Sequence, residues 1–589
     1  MARSLSCVMC ATLASFWWRE EIPMTDLSEI PVFDRILHAA EAKFTGGLSP
    51  TAIGIAWADW LVHLANQPGR QAALVQAAAK DAVAIWCQAL GLPAETVTPP
   101  HDDRRFAHPG WQEKNISVVA QAFLRSERWW KNATTAIPGV ALPHERIVSF
   151  TARQALDMVS PSNIALLNPE VIEATRASNG SNLASGLYHL MHDAQQGGAA
   201  TALPLTPGKD VAITPGRVVF RNALIELLQY QPATETVRPE PILIVPAWIM
   251  KYYILDLSPQ NSMIRYLVAQ GFTVFCISWT NPSAALRGMG LDDYRKLGVM
   301  AAIDAASAIC NSAKIHAAGY CLGGTLLSIA AAAMARDHDE RLAGLTLLAA
   351  QTDFTEAGEL QLFITEAQLA FLDDVMWAKG YLESSQMAGA FQMLRSNDLI
   401  WSRLIRRYYL GEEDHPNDMM SWNMDATRMP FRMHSEYLHM LFLNNDLAEG
   451  RLLAGGRKIS VADIHVPFFV IGTETDHVAP WRSVYKIHLL NSGDITFVLT
   501  SGGHNAGVVS EPLHPHRHYR LLHRAPEAHY HAPEDWQAQA PVTEGSWWRP
   551  WVEWLHARSG PAVEPPAMGN EPAGFPALEA APGQYIFQR

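Results

Sequence analysis

The sequence predicts an α/β protein: a mostly parallel, doubly wound sheet that carries a large insertion and follows a helical region. Three observations predict it. From 241 to 350, short apolar runs alternate with helical stretches, as strands buried on both faces and their crossover helices do. A Gly-x-Cys-x-Gly turn at 319–323 separates one such run from the helical stretch after it. The alternation breaks off over 355–460 and resumes at 466–499. So long an interruption between two sheet strands reads as a cap over an active site, because a structureless connection of that length is uncommon.

Residues 24–205 read as a helical N-terminal domain. The stretch 34–43 is amphipathic, and Ser49-Pro50 supplies an N-cap and a first-turn proline to the apolar run after it. Phe106, Trp111, Phe123, Trp129 and Trp130 mark a packed helical region. Gly197-Gly198, Pro207-Gly208 and Pro215-Gly216 punctuate a linker. The sheet domain, 206–530, has strands expected at 241–246, 272–279, 314–318, 342–350, 466–471 and 495–500. Helices are expected at 259–270, closed by Gly271, and at 291–310 and 322–336. The cap insertion is rich in Met, Trp, Tyr and Phe and shows no clean strand. Residues 531–589 read as a Pro- and Trp-rich tail.

At 589 residues the chain is too long for one compact core. Its 49% hydrophobic and 17% charged content is that of a soluble globular protein. A net charge of −13 argues against a nucleic-acid partner. Six cysteines make no disulfide framework, and the CxxC at Cys7 and Cys10 has no second pair to complete a zinc site; reduced cytosolic thiols fit. The tryptophans cluster early (Trp57, Trp60, Trp86, Trp111, Trp129, Trp130) and late (Trp536, Trp547, Trp548, Trp551, Trp554). Packing between domains explains them better than a surface for an apolar partner. Residues 1–18 loosely resemble a signal peptide, but 1–23 read rather as a non-native extension ahead of a start at Met24. The uncharged stretch 317–335 has the length of a membrane span, yet Gly319, Gly323 and Gly324 mark it as strand, turn and helix, so no transmembrane segment is expected.

The chemistry centres on Gly319-Tyr320-Cys321-Leu322-Gly323-Gly324. A sharp strand-to-helix turn lifts a nucleophile above the sheet, and small residues on either side relieve the crowding. The same bend aims the Leu322 N–H and the helix N-terminus at a reacting carbonyl. Asp476 lies in the loop beyond strand 466–471, and His504 follows strand 495–500. Nucleophile, acid and histidine in that order is the pattern of the α/β-hydrolase fold, so Cys321, Asp476 and His504 are the candidate triad. Asp353, after strand 342–350, is the other loop position from which this fold can supply an acid, and Glu474 is a neighbour of Asp476. His477 reads as a hydrogen-bonding neighbour. The late histidines (His514, His516, His518, His523, His529, His531) lack partners at metal-ligand spacing and read as a solvated loop. Fold geometry puts the second oxyanion donor in the loop after strand 241–245, at Ala247 or Trp248. A cysteine nucleophile suits exchange with a thioester, since one thioester replaces another; a serine would suit hydrolysis better.

With these motifs the chain resembles the polyhydroxyalkanoate synthases. The likeness extends through Val245-Pro246-Ala247-Trp248-Ile249-Met250-Lys251-Tyr252-Tyr253, Ser278-Trp279-Thr280-Asn281-Pro282, Asp293-Tyr294, Asp476-His477 and Gly503-His504-Asn505-Ala506-Gly507. Ala247 and Met250 stand where many members have a second proline and an asparagine. The resemblance is to the class I enzymes and implies polymerisation of short-chain (R)-3-hydroxyacyl-CoA, such as 3-hydroxybutyryl-CoA, into polyester with release of CoA. It implies Cys321 as the site of chain growth, His504 as base and Asp476 as its partner. It further implies a homodimer at the surface of polyester granules in the cytoplasm, with no cofactor beyond the CoA of the substrate and no metal.

Overall fold

The computed structural model describes residues 32–45, 47–100, 103–195, 205–394, 396–413 and 417–589. Cys7, Cys10 and Met24 lie outside the described residues. One ten-stranded sheet organises the C-terminal two thirds of the chain. Its strands are β1 (Gly216–Arg221), β2 (Ile225–Tyr230), β3 (Ile242–Val245), β4 (Val274–Trp279), β5 (Ile315–Tyr320), β6 (Leu342–Leu348), β7 (Phe468–Thr473), β8 (Ile495–Thr500), β9 (His518–Arg524) and β10 (Val542–Glu544), in the order β1-β2-β4-β3-β5-β6-β7-β8-β9-β10. From β4 to β8 every neighbouring pair is parallel, and the two strands at each edge run antiparallel. The expected doubly wound parallel core is therefore present, and the strand boundaries fall within a few residues of those read from apolar runs.

The antiparallel edges were not visible in that pattern. β2 is buried along its length, yet it contains Glu226 and Gln229, and two polar residues in six hide a strand from an apolar-run reading. Both are satisfied from the chain's far end. Glu226 Oε2 accepts the N–H groups of Gln584 and Tyr585 at 2.9 and 3.0 Å, and Oε1 pairs with Arg221. Gln229 donates to Ala567 O and accepts from Gly569 N.

Residues 531–589, set apart above as a tail, are accordingly part of the sheet domain. The helix Trp548–His556 buries Trp548, Trp551 and Trp554 against the sheet, with Trp547 just ahead of it. Buried indole N–H groups need acceptors. Trp547 and Trp548 donate to Gly507 O and Val508 O beside His504, and Trp551 to Thr346 Oγ1 in β6, all at 3.0 Å. These late tryptophans fill the core. The early group is mixed: Trp111 is buried against Phe106, whose ring also meets Phe123, whereas Trp86 is 69% exposed.

The helical region comprises α1 (Val32–Thr45), α2 (Pro50–Ala65), α3 (Pro68–Ala89), α4 (Lys114–Thr134) and α5 (Leu142–Met158), with further helices to Gln195. Ser49 caps α2, its hydroxyl accepting from Ala52 N at 3.2 Å. This region grips the cap. Gln368, on the cap helix α7 (Glu366–Lys379, following α6, Leu322–Arg336), accepts from Ser49 N and donates to Gly47 O, both at 2.8 Å. His38 Nδ1 lies 2.7 Å from Asp374 Oδ2, and the Arg35 guanidinium sits 4.6 Å over the Trp377 ring. Asp193 takes Arg407 through two oxygens, each at 2.7 Å. Beside this junction, burial pushes the Asp373 carboxyl up to about 6, only partly opposed by His439 at 3.7 Å.

Trp551→Ala is expected to destabilise the sheet domain by about 3–5 kcal/mol, from lost packing and an orphaned Thr346 hydroxyl; an unchanged melting transition would contradict this. Asp373 binds its proton more tightly folded than unfolded, so its charge costs stability as pH rises from about 4 to 6. Asp373→Asn should therefore be more stable than the parent by about 1–3 kcal/mol above pH 6. That gain should shrink towards pH 4 in parallel urea titrations.

Candidate active site

β5 ends at Tyr320 and α6 begins at Leu322, leaving Cys321 alone to turn the chain. Its backbone is at φ 53° and ψ −125°, a left-handed conformation costly to a residue with a Cβ. The surrounding backbone packs too closely for any side chain at two flanking positions. A Cβ on Gly319 would meet Gly324 Cα at 2.4 Å, and one on Gly323 would meet Val245 O at 2.1 Å and Pro246 O at 2.5 Å. The second contact seats the start of α6 against the loop after β3, bringing residues 246–248 beside Leu322. As the first residue of α6, Leu322 has an N–H with no acceptor within the helix. Ala247 and Trp248 are buried in that loop, which Thr427 of the cap fastens by donating its hydroxyl to Trp248 O at 2.9 Å. The next residue, Ile249, faces the cavity described below.

Asp476 and His504 meet above the ends of β7 and β8. His504 Nδ1 lies 2.7 Å from Asp476 Oδ2, which also accepts from Thr473 Oγ1 at 3.0 Å. The other carboxylate oxygen accepts the N–H groups of Val478 and Ala479, both at 2.8 Å. Burial raises the Asp476 carboxyl, but the His504 charge and hydrogen bond, with the Ala479 amide and Thr473 hydroxyl, outweigh it and hold the group below its usual value. The Cys321 side chain also acts on His504. Burial alone would lower the imidazolium, yet the charges on Cys321 and Asp476 and the hydrogen bond to Asp476 hold it well above its ordinary value. Tyr320 packs on the His504 ring at 5.6 Å and donates to Asn505 Oδ1 at 2.6 Å, fixing the turn that carries the histidine.

The structure thus brings Cys321, His504 and Asp476 into one chain of contacts and leaves the competing acids elsewhere. Asp353 is taken by Thr355, whose N–H and hydroxyl donate to it at 2.9 and 2.5 Å, with Lys486 at 3.6 Å. Glu474 pairs with His518 at 3.2 Å, and two of the late histidines, His518 and His523, lie on β9 rather than in a loop. The carbonyl of His477 accepts from Glu359 N. Among the described residues no group of three or more His, Cys, Asp or Glu side chains is arranged to hold a metal ion.

Cys321 and Leu322 form part of the wall of an open-mouthed cavity with about 1150 Å³ of empty space, part of it open to solvent. The walls are largely apolar and come from three sources: the sheet domain, the cap (Leu372, Met429, Tyr437, Leu438) and the N-terminal region (Gly47, Leu48). Tyr437 lines the same cavity as Cys321, and burial above all, with Cys321 second, pushes its phenol well up. His434, one turn before it, also lines the cavity. Neither cap residue was marked by the sequence. No motif surrounds them, and a histidine among Met, Tyr and Phe reads as core.

Comparison with known proteins gives this geometry a family. Residues 28–70 and 102–267 match the N-terminal regions of poly-beta-hydroxybutyrate polymerase, and 240–510 match the alpha/beta hydrolase fold. A poly(3-hydroxyalkanoate) polymerase of Methylorubrum extorquens is 39% identical over 85% of this chain and 84% of its own. The chain belongs to the poly(3-hydroxyalkanoate) polymerase family. The corresponding polymerase subunit of Cupriavidus necator is 35% identical over 91% of each chain. As a family member the protein is an enzyme of polyhydroxyalkanoate synthesis on an α/β-hydrolase fold, the fold read above from the alternation and the elbow. In this polymerase no helix among the described residues is long and apolar enough to cross a membrane, and 317–335 is divided between β5 and α6.

The elbow makes its own demand on glycine. Gly323→Ala should destabilise by about 1–3 kcal/mol, because its Cβ would meet backbone that cannot rotate away. Gly54→Ala, in helix α2 with open space around it, should stabilise by about 0.5–1 kcal/mol. Thermal melts that ranked the two variants the other way would refute the packing argument.

Proposed function

We propose that the protein polymerises (R)-3-hydroxyacyl-CoA, with 3-hydroxybutyryl-CoA as a representative substrate, through a thioester on Cys321. The observation that carries this reading is the contact chain from Cys321 through His504 to Asp476 beside a largely apolar cavity. In the first step the Cys321 sulfur attacks the acyl carbonyl, the bond to the CoA sulfur breaks, and CoA leaves with the proton held by His504. In the second, His504 takes the proton of the hydroxyl of an incoming hydroxyacyl-CoA, whose oxygen attacks the enzyme-bound acyl carbon; the bond to the Cys321 sulfur breaks, the proton passes from His504 to that sulfur, and the lengthened acyl-CoA then re-acylates Cys321 as in the first step, so that each cycle adds one ester and frees one CoA. Asp476 keeps the imidazole in register and supports its charge. The Leu322 N–H, with a second N–H from Ala247 or Trp248, meets the oxyanion. The apolar walls disfavour water, which would otherwise hydrolyse the acyl group.

No cofactor beyond the substrate's own CoA and no metal is part of this mechanism. The same proposal places the enzyme in the cytoplasm at the surface of its polymer. In support, apolar side chains stand out on the N-terminal helices, among them Val75 at 70% exposure and Trp86. The homodimer is carried over from the resemblance, and sedimentation tests it.

With purified protein and 3-hydroxybutyryl-CoA, thiol release should accompany a high-molecular-weight polyester. Free 3-hydroxyacid as the main product would overturn the proposal in favour of hydrolysis. Cys321→Ala should abolish both signals, and His504→Gln should lower turnover by about 10²–10⁴-fold.

A further inference from the structure

The cap contributes to the cavity wall a polar side chain that the proposed mechanism leaves unused. His434 lies on the short helix Phe431–Glu436, is 2% exposed, and borders the same cavity as Cys321 and Leu322. Its Nδ1 is buried without a hydrogen-bonding partner. Buried polar atoms in folded proteins are nearly always paired, and an orphan in the wall of a binding cavity is where a ligand group completes the set. Burial holds the ring neutral, with its titration lowered to about 3, so it presents one N–H donor and one nitrogen acceptor. A hydroxyl can pair with Nδ1 in either tautomer, donating to the bare nitrogen or accepting from the N–H. Tyr437, whose ring lies 5.9 Å away, lines the same cavity. Of the other polar side chains in the wall, Thr325 donates to Gln351 O, Gln351 donates to Ser483 Oγ, Gln368 is taken by Ser49 N and Gly47 O, and Gln386 accepts from Glu383 N.

We propose that His434 is a specificity-determining residue that hydrogen-bonds the hydroxyl of the hydroxyacyl group, distinguishing hydroxyacyl from plain acyl thioesters. The inference rests on the function proposed above. It adds a second polar anchor: the carbonyl is held at the elbow, and the hydroxyl is held from the cap. A chain pinned at both points presents its carbonyl to Cys321 in one orientation, whereas a plain acyl chain is pinned at one. A site built to pair a hydroxyl rejects the analogue that lacks it, because its own polar group is then left unpaired.

The test is single-turnover CoA release from 3-hydroxybutyryl-CoA and from butyryl-CoA, which differ in that hydroxyl. The ratio of the two rates is the readout, since a merely structural defect lowers both together. In His434→Phe, which keeps a ring without polar atoms, the preference for the hydroxylated thioester is expected to fall at least ten-fold. His434→Gln, which keeps a donor and an acceptor, should recover most of it. A ratio within two-fold of the parent's in both variants would overturn the role of His434 while leaving the polymerase reading intact. A parent enzyme that released no CoA from 3-hydroxybutyryl-CoA would instead bring down the proposed function, and this inference with it.

Discussion

A residue with a Cβ does not rest easily at φ 53° and ψ −125°, yet Cys321 is held there between a fully buried strand and a helix whose first dozen residues are buried as well. Such strain costs of order 1–3 kcal/mol and persists because the surroundings over-determine it. Here the surroundings are the parallel pairings of β5 with β3 and β6 and the close backbone contact at Gly319 and Gly323. Relaxing the bend would require pulling α6 off the loop after β3. The same contact that imposes the strain sets the Leu322 N–H beside residues 246–248. Cys321 and the amides proposed to meet the oxyanion are thus positioned by one packing event rather than by two independent ones.

Above this rigid floor the site is closed by parts that are distant in sequence. The cap helix α7 meets the N-terminal region through the Gln368 amide, which both accepts from Ser49 N and donates to Gly47 O. Two hydrogen bonds from one planar group fix an orientation as well as a distance. Gly47 and Leu48 in turn form part of the cavity wall. The helical region therefore contributes to the chamber directly, besides bracing the cap from behind. The cap also shares one apolar core with the sheet, in which Leu369, Met376, Met429 and Tyr437 join Val245 and Phe275, so the wall over Cys321 is held from both sides.

How much of this could be read from residues alone follows from where the determinants lie. The parallel strands announce themselves because burial on both faces demands unbroken apolar runs. The elbow announces itself because close backbone approach demands glycine at fixed offsets from Cys321. β2 did not, since Glu226 and Gln229 are neutralised by residues 567–585, partners some 340 positions away that no local pattern contains. For the same reason residues 531–589 read as a tail: the tryptophans were visible, but their acceptors Gly507, Val508 and Thr346 are supplied by tertiary structure. The cap's contribution to the site was equally hidden. His434 and Tyr437 sit in a helical stretch whose period is that of any buried helix, and the cavity they border comes into being when three separate segments meet.

The choice of acid shows what the fold adds to a motif. Asp353 and Asp476 both follow parallel strands at the same end of the sheet, so topology alone admits either. Their hydrogen bonds separate them. Asp353 turns an oxygen towards Thr355, which supplies both an N–H and a hydroxyl, and Lys486 neutralises its charge; it stabilises its own loop. Asp476 divides its labour. One oxygen takes the amides of Val478 and Ala479, fixing the loop, while the other takes the Thr473 hydroxyl and is left with a lone pair that meets His504 Nδ1 at 2.7 Å. A carboxylate whose loop is already tied down by one oxygen can hold an imidazole with the other without the loop yielding. That division accounts for a charge kept buried and ionised beside a histidine, and for the histidine's raised affinity for its proton.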